Sequence, residues 1–219
     1  MASAGERPQF SVVIPTSGRR SLARLLGRLH REDRGDIEVL VVADGSRPQA
    51  ATIARRAARR WDRVRYWETE PSNDWGNTQR MLGIQRALGR YLIFIDDDDL
   101  TTRGAFRIIR EAVRANPERI IVFRFIRQPG DTLWKAPELR SGNVSTQQLV
   151  IPNLPGKVGS WLRLGRETAD FDFLSECVQL QGEPLWRAEI IARRNASPRS
   201  RALARMVKHA GKRTVGAIG

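Results

Sequence analysis

A mostly parallel β-sheet covered by helices on both faces is the architecture this sequence predicts, and three observations predict it. Apolar strand-like runs alternate with amphipathic helical stretches from residue 10 to residue 127. The connections between them are short, as in successive strand–helix–strand units. The first run, "FSVVIP" (10–15), is apolar almost throughout, as a strand buried on both faces is.

Taken in order, strand 10–15 leads to Ser21, which is placed to cap a helix whose Leu22, Leu25, Leu26 and Leu29 recur at helical spacing. "IEVLVVAD" (37–44) is the second strand. A helix from about Gln49 to Trp61 puts Ile53, Ala54, Ala57 and Trp61 on one face. Strand "VRYWET" (64–69) then runs into the turn-rich "EPSNDWGN", and a helix follows from about Thr78 to Leu88. "YLIFID" (91–96) is the fourth strand. A helix from about Arg103 to Asn116, with Phe106, Ile109 and Val113 inward, precedes strand "RIIVFRFI". After Arg127 the rhythm breaks into an irregular, Gly/Pro-punctuated segment to about residue 165 that holds Trp134 and Trp161. A helix from about Asp170 to Leu180 and a strand "AEIIARR" complete the pattern.

With 219 residues, 41% of them hydrophobic, the chain supports one domain with a real core plus a tail. No stretch is apolar for long enough to span a bilayer, and "MASAGERPQF" lacks the features of a secretory signal, so the expected compartment is the cytoplasm. Cys177 is the one cysteine, which rules out a disulfide framework within the chain and a cysteine-based metal site. The net charge of +14 brings nucleic acid, anionic membranes and phosphorylated substrates into consideration. No acid follows Glu189, whereas Arg193, Arg194, Arg199, Arg201, Arg205, Lys208, Lys212 and Arg213 do, so much of the excess belongs to a basic tail, 196–219. That tail reads as a short helix around Leu203, Met206 and Val207, or as disorder.

Function is signalled by "YLIFIDDDDL" (91–100), four consecutive aspartates behind a strand. Ligands of open α/β sheets bind at the carboxyl ends of strands, where this run lies. A helix cap needs one or two charges at most, and Thr101 and Thr102 are available for capping. Neighbouring carboxylates repel by roughly 1 kcal/mol at about 4 Å in water and by more when desolvated, so a hard divalent cation is the simplest partner. With two histidines and one cysteine in the chain, Mg²⁺ or Mn²⁺ fits better than Zn²⁺, and such ions complete their shells with substrate phosphates. A diphosphate-bearing substrate follows. Thr16 and Asp44 should share this edge; Asp44 either accepts from a base N–H or ribose hydroxyl, or serves an Asp-Gly turn.

"SVVIPTSGR", "VLVVADGS" and "GIQRALGRYLIFIDDDDL", in that order and at those intervals, together resemble the nucleotide-sugar-binding half of family 2 glycosyltransferases with the GT-A fold. The resemblance implies a GT-A domain over residues 8–195, with a donor half (8–127) and an acceptor half (128–195). It implies a nucleoside-diphosphate sugar donor, UDP before other bases, with Pro15, Thr16 and Asp44 near base and ribose. It places Asp98 on the metal with Asp96 and Asp97 assisting, and Arg80 near the diphosphate. The family's Glu-Asp-x-Asp pattern is matched by Asp170 and Asp172, which makes Asp170 the expected base, with Asp172 and Glu176 as substitutes; Phe171, Phe173 and Leu174 would desolvate it. Ala43, Met81 and Ala169 depart from the family pattern, and the Gln-x-x-Arg-Trp motif of processive synthases is missing. The implied activity is metal-dependent, inverting, single transfer of the hexosyltransferase type to a hydroxyl of a glycan, lipid or small molecule. Trp161 and Trp134 either stack on that acceptor or plug the core.

Three rivals remain open at this level. "DDDLT" also spells the Asp-x-Asp-x-Thr of haloacid-dehalogenase-like phosphatases through Asp97, Asp99 and Thr101, although that motif normally opens its fold. A nucleic-acid-binding module would use the tail, but the acids at the ligand edge repel phosphates. A silent nucleotide-sugar binder would account for Ala43 and Ala169. The tail raises the expectation of an anionic membrane surface as partner, at the inner face of the membrane.

Overall fold

A computed structural model describes residues 7–162 and 168–194; the tail 196–219 and the helix expected around Leu203 lie outside the described residues. The chain runs β1 (Phe10–Thr16), α1 (Ser21–Glu32), β2 (Ile37–Asp44), α2 (Pro48–Ala58), β3 (Val64–Thr69), α3 (Asn77–Arg86) and β4 (Tyr91–Phe94). It continues through β5 (Asp99–Thr101), α4 (Ala105–Ala115), β6 (Ile121–Gln128), β7 (Asp131–Leu133), β8 (Leu149–Pro152), α5 (Ala169–Gln181) and β9 (Leu185–Arg194). One sheet takes the order β3-β2-β1-β4-β8-β6-β9-β5, with β7 paired to β6. The first four strands are parallel, as the alternating pattern predicts. Beyond β4 the sheet is mixed: β8 is antiparallel to both neighbours, β6 and β9 are parallel, and β5 is antiparallel to β9.

Alternation along β1 builds the two cores. Phe10, Val12 and Ile14 face α1, α2 and α4, where Leu22, Leu25, Leu29, Ala54, Phe106 and Ile109 meet them. Val13 faces the other side, in a core with Phe94, Val122, Trp161, Phe173, Leu174 and Cys177. Each fully buried Leu or Phe contributes about 1.5–3 kcal/mol, and the four buried leucines of α1 explain why this helix forms without a side-chain cap. On the second side α3 lies close on β1: a Cβ on Gly83 would stand 2.3 Å from Cγ1 of Val13. Only glycine permits this approach, which brings the N-terminal half of α3 to the aspartate edge.

Several expectations change in detail. Ser21 is the first residue of α1 rather than its cap, which is Arg20. Trp61 lies past the end of α2, buried, with His30 stacked on it at 5.3 Å between centroids. β4 stops at Phe94, and the aspartates form a tight bend into β5, a strand too short to show in the sequence. Thr101 is buried in β5 and Thr102 donates to the carbonyl of Ile190 (2.8 Å), so neither caps α4. The supposedly irregular segment contains β8, an apolar strand of four residues inserted between β4 and β6.

Candidate active site

The bend after β4 gives its aspartates different partners. Asp97, 2% exposed, points back to the β1 loop: it accepts from Thr16 Oγ1 (2.5 Å), Ser17 N (3.3 Å) and Arg19 Nη1 (2.8 Å). Thr16 and Asp97, both expected to contact ligand, are thus bonded to each other and shape the edge. Asp96, Asp98 and Asp99 offer carboxylate oxygens that all lie within 4.8 Å of one another. Asp99, the last of the four aspartates and one to which the family resemblance gave no role of its own, belongs to this trio.

Three elements reach the trio, and a fourth is joined to it through one of them. From α3, Arg80 donates to Asp96 Oδ1 (2.6 Å) through Nη2 and to the Trp75 carbonyl (3.0 Å) through Nη1, and its guanidinium carbon lies 5.0 Å from the Trp161 ring centre. From the β1 loop, Arg19 reaches Asp98 Oδ2 at 3.1 Å. A 3₁₀ turn, Thr146–Gln148, supplies Gln147, whose Nε2 donates to Asp96 Oδ2 (2.9 Å) and Asp99 Oδ2 (2.6 Å). Its neighbour Thr146 donates to Oδ1 of Asp170 (2.6 Å) at the start of α5. Asp170 is thereby tied to the aspartate trio by adjacent residues of one turn. Gln147 and Thr146 carry no sequence signal, since polar residues of an irregular stretch look like any loop; Arg19 is visible only as one of a basic pair.

Burial governs the protonation of this site. Desolvation raises the Asp98 carboxyl above its ordinary range, with Arg19 opposing and Asp97 and Asp96 adding to the rise. Asp170 is also raised, first by burial and then by Asp96, against the lowering influence of Arg80 and the Thr146 hydroxyl. A carboxylate that binds a proton more readily than usual is a better base at neutral pH. Three carboxylates whose oxygens gather this closely suit a small, hard, doubly charged ion, so the trio fits Mg²⁺ or Mn²⁺.

The other expected residues lie around this centre. Pro15 is buried at the end of β1. Asp44 ends β2, and its Oδ1 accepts from Ser72 N (2.7 Å), Ser72 Oγ (3.2 Å) and Gln79 Nε2 (3.1 Å). Asp172 accepts from Thr168 Oγ1 (2.6 Å), a bond within the start of its own helix, and Glu176 accepts from Ser160 N (2.8 Å). Trp161 is 1% exposed, stacked on Phe173 at 4.2 Å: it is a core plug that supports Arg80 from below. Trp134 packs edge-on against Trp186 and donates to the Val122 carbonyl (3.3 Å).

The chain is similar to known proteins in sequence and in fold. The chain is 28% identical over 142 residues to the uncharacterized glycosyltransferase EpsJ of Bacillus subtilis, covering 64% of this chain and 41% of that protein. It is 26% identical over 105 residues to the GalNAc(5)-diNAcBac-PP-undecaprenol beta-1,3-glucosyltransferase of Campylobacter jejuni, covering 48% of this chain and 34% of the relative. It therefore matches less than half the length of either. The S. aureus TarS structure superposes with a TM-score of 0.72 at 17% identity over 88% of this chain and 37% of TarS. The mannosyltransferase PcManGT of Pyrobaculum calidifontis, in complex with GDP-Man and Mn²⁺, gives 0.63 at 16% identity over 89% of this chain and 59% of its own. These likenesses show the GT-A fold. The glycosyl transferase family 2 model matches residues 11–170, from β1 to the first turn of α5, and so takes in both the aspartate bend and Asp170: the chain belongs to glycosyl transferase family 2.

Proposed function

We propose that the protein is a metal-dependent, inverting, non-processive glycosyltransferase that moves a sugar from a nucleoside-diphosphate sugar, UDP before other bases, to an acceptor hydroxyl. The observation that carries this reading is the joining of Asp96 and Asp99 to Asp170 through Gln147 and Thr146. Adjacent residues of one turn thereby tie a carboxylate cluster suited to a cation to a half-buried carboxylate suited to act as base. Asp96, Asp98 and Asp99 would hold Mg²⁺ or Mn²⁺, which supplies Lewis-acid stabilisation of the departing diphosphate. Asp170 takes the proton from the acceptor hydroxyl as its oxygen attacks the anomeric carbon opposite the leaving group, and this inverts the centre. Thr146 holds the Asp170 carboxylate in place, and Arg80 keeps positive charge between it and Asp96. Residues 8–127 form the donor half and 128–195 the acceptor half.

Relatives support the substrate classes. TarS has been crystallised with UDP-GlcNAc and PcManGT with GDP-Man, and the Campylobacter jejuni relative is named for a polyprenyl-linked glycan acceptor. The deciding experiment is a thermal-shift panel of UDP, GDP and their sugar conjugates with Mn²⁺. A rise with at least one nucleotide is expected; no rise with any of them ends the proposal.

An anionic membrane surface is the proposed partner for the protein's positive charge. α1, α2 and α4, on one side of the sheet, carry eight arginines against Glu32 and Glu111, so basic charge lies on the folded surface as well as in the tail. Among the described residues no helix is long and apolar enough to cross a membrane. Binding to phosphatidylglycerol vesicles should exceed binding to phosphatidylcholine ones and fall with salt. Equal binding to both removes the proposal, and a chain ending at residue 195 that binds as well as the parent removes the tail's part in it.

A further inference from the structure

Trp75 is the most exposed large apolar side chain among the described residues, at 74%, and its φ of +64° lies in the left-handed region that a bulky aromatic avoids. The surrounding loop is nevertheless held firmly. Asp74 accepts from Gly76 N (3.2 Å), Thr78 N (2.8 Å) and Thr78 Oγ1 (2.6 Å), and the Trp75 carbonyl accepts from Arg80. Strain at an outward-facing residue persists only where its surroundings enforce it, and such places are concentrated where ligands bind.

The loop's neighbours indicate which ligand. Ser72 N donates to Asp44 at the end of β2. Gly76 rests on Pro15 at the end of β1, so closely that a Cβ there would stand 2.9 Å from the Pro15 Cβ. Arg80 then links the loop to Asp96. Trp75 therefore stands on a frame made of Pro15, Asp44 and Arg80, whereas the Thr146–Gln148 turn and α5 reach the aspartates by the separate route through Gln147 and Thr146. An exposed flat π surface on a loop bonded to Asp44 suits a nucleobase, and the Arg80–Asp96 end of the same loop suits the diphosphate.

We infer that Trp75 is the stacking platform for the nucleobase of the donor. The inference rests on the donor reading proposed above, and its test separates the two. Binding of UDP, GDP and inorganic pyrophosphate, each with Mn²⁺, is measured by calorimetry on the full chain, on Trp75→Gly and on Trp75→Tyr. Trp75→Gly should weaken the nucleoside diphosphate by about tenfold or more while leaving pyrophosphate unchanged, since base stacking is lost and the phosphate end is untouched. Glycine accepts the left-handed backbone, so this variant should melt no lower than the parent. Trp75→Tyr should recover most of the affinity. A parent that binds pyrophosphate but neither nucleoside diphosphate sinks the donor reading and this inference together. A parent that binds both, with Trp75→Gly equal to it for the nucleotides, sinks this inference alone. So does an equal loss of pyrophosphate.

Discussion

Asp170→Asn should lower the rate of sugar transfer by about a thousandfold while making the folded protein more stable at neutral pH. The first effect is the loss of a general base, a contribution of about 10² to 10⁴ in rate. The second follows from linkage. Burial raises the Asp170 carboxyl above its ordinary range, so the folded state binds a proton that the unfolded chain has already released. The stability contributed by the protonated form is therefore complete below the unfolded value, and it is lost as pH rises through the raised, folded value. Asparagine carries no charge to desolvate and still accepts the Thr146 hydrogen bond, so the variant escapes that loss and its stability flattens across the same interval. Transfer in the parent should rise with pH along an acid limb displaced above the ordinary carboxylate range, and Asp170→Asn should lack that limb. Nucleotide release and thermal melting, both followed from acid to neutral pH, check the two arms. If Asp172→Asn is the more damaging variant, the base has been misassigned; its carboxylate is committed to Thr168, and only a modest loss is expected.

Asp98→Ala should reduce transfer by three orders of magnitude or more and remove the Mn²⁺-dependent stabilisation by nucleotide. Asp98 is the most solvent-facing member of the trio, its side chain 43% exposed, and so the one best placed to meet an incoming ion and its phosphates. A ligand present at a hundred times its dissociation constant stabilises by about 2.7 kcal/mol, or about 5–10 °C for a chain of this size. The parent should show such a shift and the variant almost none. Without ligand the variant should melt at or above the parent, because one of several crowded carboxylates has gone. A variant that retains both the shift and the activity would show that the ion, if one is used, sits elsewhere. Asp97→Asn should behave differently and lower stability, since Asp97 accepts three bonds from the β1 loop.

The first four strands, the helices between them and the position of the acidic bend were all legible in the chain. Their apolar runs are long enough to set the period, and their connections are short enough to force adjacency. The second half was harder to read. β5 and β8 span three and four residues, below the length at which a pattern emerges, and each acquires its strand character from partners far away in the chain, β9 for one and β4 with β6 for the other. The same holds within the site. Asp170 could be found by its likeness to a family pattern, but Gln147, Thr146 and Arg19 are functional candidates only because of what they touch.

The sequence by itself determined that this chain would make an open α/β sheet and gather carboxylates at the carboxyl end of its fourth strand. Hydrophobic period and charge are local properties, and a local run of residues suffices to express them. Only the tertiary structure decided that Asp97 would turn inward while Asp96, Asp98 and Asp99 face one another, that Trp161 would be core, and that Trp75 would stand exposed. Those outcomes depend on hydrogen-bond partners brought together across distant parts of the chain, Thr16 with Asp97 and Gln147 with Asp99, and a partner's position in space is not written in the residues beside it.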